Sequence, residues 1–223
     1  MDKRLFFQAI GKFCLGVLLI GALLFVPAGT LRYWNGWLLL AILFVPMFCA
    51  GIVLMRRDPE LLRKRLNAKE SEREQRAVLV LSGLMFLAAF IVAGLNFRYS
   101  WIVLPRWIVW TGAAVFLAAY LMYAEVLREN AYLSRTVELQ EEQEVIDTGL
   151  YGVVRHPMYS ATLFLFTSMG LVLGSPLSFL ILLLYIPIIA KRIRNEEAVL
   201  AGGLKGYREY MQRVRWRMIP GVW

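Results

Sequence analysis

From Pro157 to Ala190 the chain carries no charged residue. Wound as one helix at about 1.5 Å per residue, that run would be about 50 Å long, too much for a single crossing of about 30 Å of hydrocarbon. Gly174-Ser175-Pro176 interrupts it near the middle, and Gly and Pro are the strongest local breakers of regular structure. The pattern therefore predicts a helical hairpin with arms near 157–173 and 177–190. Both ends of such a hairpin return to one side of a membrane.

Four earlier stretches, about 8–28, 34–55, 77–97 and 107–124, are near the length that one crossing requires. The chain is 59% hydrophobic and 18% charged, below the quarter or so of charge found in soluble domains. The fold class expected is an all-α integral membrane protein: four spanning helices plus a C-terminal helical hairpin, five to six membrane segments in all. Residues 1–124 form the four-span region and residues 125–223 the region bearing the polar motifs, within one structural domain. Lys12 can snorkel from the first span, and Pro46 is expected to kink the second. The opening stretch has the charge and apolarity of a signal peptide. It lacks a small-residue cleavage site and reads as a retained first span. Cys14 and Cys49 lie in apolar runs without metal-ligand spacing and are expected to be buried thiols.

Charge sets the orientation. Placing the N-terminus, residues 56–76, 125–156 and 191–223 on one side, together with Lys12, collects 22 of the 25 Lys and Arg there, and leaves Arg32, Arg98 and Arg106 opposite. By the positive-inside rule the rich side is cytoplasmic, with both termini on it. Trp34, Trp37, Trp101, Trp107 and Trp110 fall near the sparse side, as an aromatic belt would. The implied location is a bacterial inner membrane, crossed several times. The basic excess is thus explained by lipid headgroups rather than nucleic acid, for which no motif appears. The sequence does not specify an oligomeric state.

The chemistry-bearing residues border the hairpin. Pro157 suits the first position of a helix, which puts the only histidine, His156, at or just before the N-cap. Backbone N–H groups and the positive end of the helix dipole then face outward, beside the fixed charge of Arg155. Such a corner suits a carboxylate or phosphate, and it equally suits an interfacial anchor on lipid phosphate. At the other end of the hairpin stand Glu196 and Glu197, about 100° apart on a helix, so that one can pair with Arg192 or Arg194 while the other faces a pocket. Gly202, Gly203 and Gly206 predict a break before Tyr207 and Tyr210, so the C-terminus can fold back as a lid or lie as an amphipathic tail on headgroups. Tyr151, Tyr159, Tyr207 and Tyr210 offer ring faces to a cation such as a sulfonium. The segment Glu129–Asp147, with its EEQE at 141–144, reads as a solvated amphipathic helix.

GLYGVVRHPMY (149–159), the uncharged hairpin, RIRNEEAVL (192–200), GYREY (206–210) and the ending RVRWRMIPGVW (213–223) together resemble the isoprenylcysteine carboxyl methyltransferase family and the related bacterial phospholipid methyltransferases. The resemblance covers about residues 125–223. It implies an integral membrane methyltransferase that uses S-adenosylmethionine on the cytosolic side. By motif it assigns His156, Tyr159, Glu197 and Leu200 to the cofactor, with Tyr207 and Tyr210 from the lid, and leaves Arg155 and Glu196 as the catalytic or orienting pair. The acceptor implied is lipid-like or a small hydrophobic molecule presenting a carboxylate, amine or thiol. The stretch GGLKGY departs from the Phe-Gly that the eukaryotic members tend to carry after EExxL, which bears on the substrate and the lid rather than on the cofactor motif.

Other classes are weaker. There is no glycine-rich nucleotide fingerprint, Walker A motif or serine nucleophile motif, and one histidine does not make a histidine-rich metal site, so no metal is expected. A reductase of the sterol-reductase type binding NADPH shares an RHP-like segment but has more spans. A non-enzymatic lipid-binding membrane protein would keep the fold without the activity.

Overall fold

The computed structural model describes residues 3–57, 59–67, 73–130 and 143–223. Most of the segment predicted as a charged helix over 129–147, including Glu141 and Glu142, lies outside them. Nine α-helices are seen among the described residues, and no strand. They are α1 (Lys3–Ala28), α2 (Trp34–Arg57), α3 (Pro59–Asn67), α4 (Arg73–Tyr99), α5 (Arg106–Glu129), α6 (Pro157–Val172), α7 (Pro176–Leu182), α8 (Tyr185–Gly203) and α9 (Tyr207–Arg213). A single 3₁₀ turn, Gly149–Gly152, leads into α6. Among the described residues, five helical stretches are long and apolar enough to cross a membrane: Arg4–Ala28, Trp34–Arg57, Ala77–Tyr99, Arg106–Glu129 and Pro176–Gly203. The 16 residues of α6 reach about 24 Å, somewhat short of a full crossing.

The apolar helices bury little of themselves against one another. Leu18, Val26 and Leu121 are each more than two-thirds exposed, the arrangement of a bundle whose outer surface faces hydrocarbon. Cys14 and Cys49 belong to that outer surface: both are exposed, not the buried thiols expected. In a membrane bundle an apolar run has no need to point inward, so apolarity of the surroundings in sequence does not imply burial. Pro46 is accommodated within α2, whose helical assignment continues from Trp34 to Arg57.

The hairpin forms as the Gly-Ser-Pro break predicts. Gly174 takes a left-handed φ of +68°, Ser175 caps α7 by accepting from the Ser178 N–H at 3.2 Å, and Pro176 begins the helix. The last carbonyls of α6 have no helical partners, and three other places in the fold supply them. Tyr33 donates to Leu173 O at 2.6 Å, Asn35 to Val172 O at 2.9 Å and Asn96 to Gly174 O at 3.5 Å, while the same Asn96 amide donates at 2.9 Å to Ile102 O in the α4–α5 loop. The exposed Trp34, Trp101 and Trp107 sit at this same end, beside those anchors in sequence.

The second arm differs from expectation in length. The apolar run stops near 190 and predicts the end of the arm there. Instead α8 continues to Gly203, because Lys191–Leu200 is made of residues that tolerate a helix, and Gly202-Gly203 end it. Glu196 and Glu197 thus ride on the hairpin arm itself. At this charged end Lys12 of α1 donates to Leu66 O of α3, and α5 packs along α6, bringing Glu129 to the 3₁₀ turn where it accepts from the Leu150 N–H at 3.2 Å.

Candidate active site

His156 is the N-cap of α6 (φ −127°, ψ 61°) and Pro157 its first residue, as the RHP spacing predicts. The backbone on either side of that cap is held by the C-terminal segment. Arg155 N–H donates to Trp216 O at 2.9 Å and His156 N–H to Arg217 O at 2.8 Å, while Ser160 Oγ donates to Met218 O at 2.7 Å. The ending RVRWRMIPGVW therefore lies across the start of α6 like a strap.

The return of the hairpin brings α8 to the same place. Glu197 is 4% exposed, and three donors converge on its carboxylate. Oε1 accepts from Arg155 Nε at 2.7 Å and lies 3.2 Å from His156 Nε2; Oε2 accepts from Arg217 Nε at 2.8 Å. A buried carboxylate needs such compensation, since an unpaired one would forfeit its hydration. Arg155 is consumed by the fold: its Nη1 also donates to Val214 O and Arg215 O at 2.7 and 2.9 Å.

Glu196, one helical step away, faces a different set. Its side chain is 25% exposed, Oε2 accepts from the Tyr159 hydroxyl at 2.5 Å, and Oε1 lies 3.9 Å from His156 Nδ1. The same Tyr159 oxygen accepts from Arg192 Nε at 2.9 Å, and the Tyr159 ring stacks near His156 with centroids 5.7 Å apart. The two glutamates diverge as their helical angle requires: one is buried in cations, the other reaches the surface of the site.

Gly206, at φ +84°, turns the chain after α8 and starts α9. Tyr207, Tyr210 and Val214 then form a small apolar cluster with Val145 and Leu200. Tyr210 donates to Tyr151 O at 2.7 Å, and Asn130 donates to the Tyr151 hydroxyl at 2.9 Å. Burial pushes the Tyr151 phenol up to about 12 and raises Tyr207 and Tyr210 as well, so all three stay protonated. Tyr210 has its acceptor. The Tyr207 hydroxyl is buried, has no hydrogen-bond partner among the described residues, and lies within electrostatic reach of both Glu197 and Glu196.

Residues 107–205 match the family model for phospholipid methyltransferase. The resemblance read from the motifs holds, and the matched segment takes in α5, the RHP corner, the whole hairpin and both glutamates. Among solved structures the chain is similar to the eukaryotic intramembrane Ras methyltransferase, isoprenylcysteine carboxyl methyltransferase. The TM-score is 0.57 at 17% identity, over 92% of this chain and 73% of that one, a likeness of fold. No curated protein sequence matches the chain.

The candidate site residues named from the sequence lie together at the charged end of the hairpin. His156, Arg155 and Glu197 form one bonded cluster, Tyr159 and Glu196 a second that touches it, and Leu200, Tyr207 and Tyr210 the adjoining apolar wall. Sequence alone does not mark Arg217 and Trp223 as site residues, although both stand in the ending RVRWRMIPGVW. Nothing local in that ending distinguishes Arg217 from its basic neighbours; only the fold shows that it reaches Glu197. Arg192 was named as a partner for a glutamate and reaches Tyr159.

Proposed function

We propose that the chain is a membrane methyltransferase that uses S-adenosylmethionine to methylate a lipid-like acceptor, at an end of the bundle that the positive-inside rule makes cytoplasmic. The observation that carries this reading is the meeting of His156, Glu197, Tyr159 and Glu196 where the two hairpin arms come together. The donor set suits the cofactor's groups: arginine and imidazole N–H for a carboxylate, a partly exposed Glu196 for an amine or hydroxyls, and tyrosine rings for a sulfonium. The Tyr207 hydroxyl, buried without a partner among the described residues, is a further sign of a ligand, because buried polar groups are ordinarily bonded. His156, Tyr159, Glu197 and Leu200 would hold the cofactor, with Tyr207 and Tyr210 closing over it. When bound, it supplies an electrophilic methyl on a positively charged sulfur.

The residues then have separable tasks. Arg155 positions: it ties the C-terminal strap to Glu197 and has little surface left for a ligand. Glu197 keeps His156 and the two arginines in register. Glu196 is the carboxylate with access, and its Oε1 is the atom that would take a proton from an amine acceptor. A carboxylate acceptor would need no base, and alignment alone would then be the main contribution. The apolar cluster of Tyr207, Tyr210 and Val214 would exclude water by closing over a bound cofactor.

Calorimetry on the purified chain in nanodiscs tests this. S-adenosylhomocysteine should bind, and His156→Ala should weaken that binding by at least about tenfold, the loss of one hydrogen bond to a charged group. Binding of NADPH in its place would sink the reading.

A further inference from the structure

Arg217 lies beyond the segment that matches the family, and its surroundings differ from those of Arg155. Four contacts fix it. Its N–H donates to Trp223 O at 2.9 Å, its carbonyl accepts from His156 N–H at 2.8 Å, its Nε donates to Glu197 at 2.8 Å, and its guanidinium carbon sits 5.1 Å over the Trp223 ring. The stack on the indole presets the orientation of a side chain that would otherwise have many rotamers. Yet 31% of that side chain is exposed, against 6% for Arg155, and its Nη1 and Nη2 have no partner among the described residues. Glu197 bonds two permanently charged side chains, Arg155 through Oε1 and Arg217 through Oε2, and only Arg217 keeps part of its surface exposed. Within electrostatic reach of Glu197 stands the buried Tyr207 hydroxyl, which has no hydrogen-bond partner among the described residues.

A guanidinium held in one orientation, with Nη1 and Nη2 bonded to no described residue, and a buried phenol beside the same two glutamates have the chemistry to recognise an anion. We propose that Arg217, held in place by Trp223, is the anion-recognition residue of this site, and that the group it binds is a carboxylate or phosphate. The planar fork matches either in a bidentate manner, which a lysine cannot do. The source of the anion rests on the function proposed above: it is the amino-acid carboxylate of the cofactor or the anionic headgroup of the acceptor.

The test uses the full chain in nanodiscs, with Arg217→Gln, Arg217→Lys and Trp223→Leu. Calorimetry compares S-adenosylhomocysteine with methylthioadenosine, which lacks the amino-acid carboxylate. Native mass spectrometry compares retention of phosphatidylglycerol with phosphatidylcholine. If the cofactor is the source, Arg217→Gln lowers affinity for S-adenosylhomocysteine on the order of tenfold to a hundredfold and leaves methylthioadenosine unchanged. If the acceptor is the source, both nucleosides bind as before and the preference for phosphatidylglycerol falls by a similar factor. Equal losses for both nucleosides, the mark of a merely structural arginine, overturn the proposal, as does no loss in either arm. Should the wild type bind neither nucleoside, the methyl-donor reading fails by itself. The lipid arm then decides Arg217: a lost preference supports it and an unchanged one overturns it. Arg217→Lys and Trp223→Leu should show the same selective loss to a smaller degree, and they decide the matter if Arg217→Gln does not fold.

Discussion

Arg155 and Glu197, 42 positions apart, are joined by a 2.7 Å bond between Nε and Oε1, with both side chains almost wholly buried. One comes from the turn before the hairpin and the other from its returning arm. The pair therefore measures whether the hairpin has closed, and any change to it acts on the fold and on the site together.

That double role separates two substitutions at Glu197. Alanine leaves Arg155 as a buried cation with no counter-charge and should cost about 3–5 kcal/mol. Glutamine keeps the shape and an acceptor oxygen and should cost about 1–3 kcal/mol. Thermal unfolding of the detergent-solubilised variants checks the order. Any loss of ligand binding in Glu197→Ala should therefore come together with a loss of stability. Equal stability of the two variants would mean that Arg155 finds water instead.

Tyr207→Phe should move stability and binding in opposite directions. Its hydroxyl is buried and unbonded among the described residues, and such a group costs about 1–3 kcal/mol in an otherwise apolar place. Removing it from the ligand-free protein should leave the melting temperature unchanged or higher, while affinity for S-adenosylhomocysteine falls. A variant that melts lower and binds normally would show that the hydroxyl has a structural partner instead of a ligand.

Much of this was legible in the sequence because the membrane restricts the choices. An uncharged run too long for one crossing, broken by Gly174-Ser175-Pro176, leaves a hairpin as the only simple outcome, and a hairpin necessarily reunites His156 with Glu197. Pro157 fixed the helix start to the residue. The pairing was not legible. Adjacent carboxylates among Arg155, Arg192, Arg194 and Arg217 have many possible partners by charge alone, and the strap formed by residues 214–218 decides among them through backbone bonds that no side-chain pattern announces. Burial of Cys14 and Cys49 failed for a related reason: hydropathy reports contact with an apolar medium, and lipid satisfies it as well as a protein core does.

Gly170 should be the least replaceable position of the hairpin. A Cβ there would stand 2.4 Å from Phe179 N and 2.5 Å from its Cα, so the obstacle is the backbone of α7 and not a movable side chain. Gly170→Ala should force the arms apart and cost about 1–3 kcal/mol or more. Gly202→Ala, where a Cβ meets nothing within 4 Å, is the control and should be nearly neutral. The yield of folded protein after size-exclusion chromatography distinguishes the two.

The tyrosines at the charged end predict an alkaline limit. Burial holds the Tyr151 phenol at about 12 in the fold, against 10.0 when exposed, so the folded state retains a proton that the unfolded chain loses first. Its contribution is complete below pH 10 and is lost as pH rises through about 12. The difference of two units corresponds to about 2–3 kcal/mol. Tyr207 and Tyr210 are raised by the same cause and act in the same direction. The melting temperature should therefore fall steeply above pH 10, in step with tyrosinate absorbance. Tyr151→Phe should flatten that fall, since one linked proton is gone, while lowering the melting temperature near neutrality because Asn130 loses its acceptor. If the wild-type and Tyr151→Phe curves run parallel across the alkaline range, Tyr151 is not among the groups whose ionisation opens the fold.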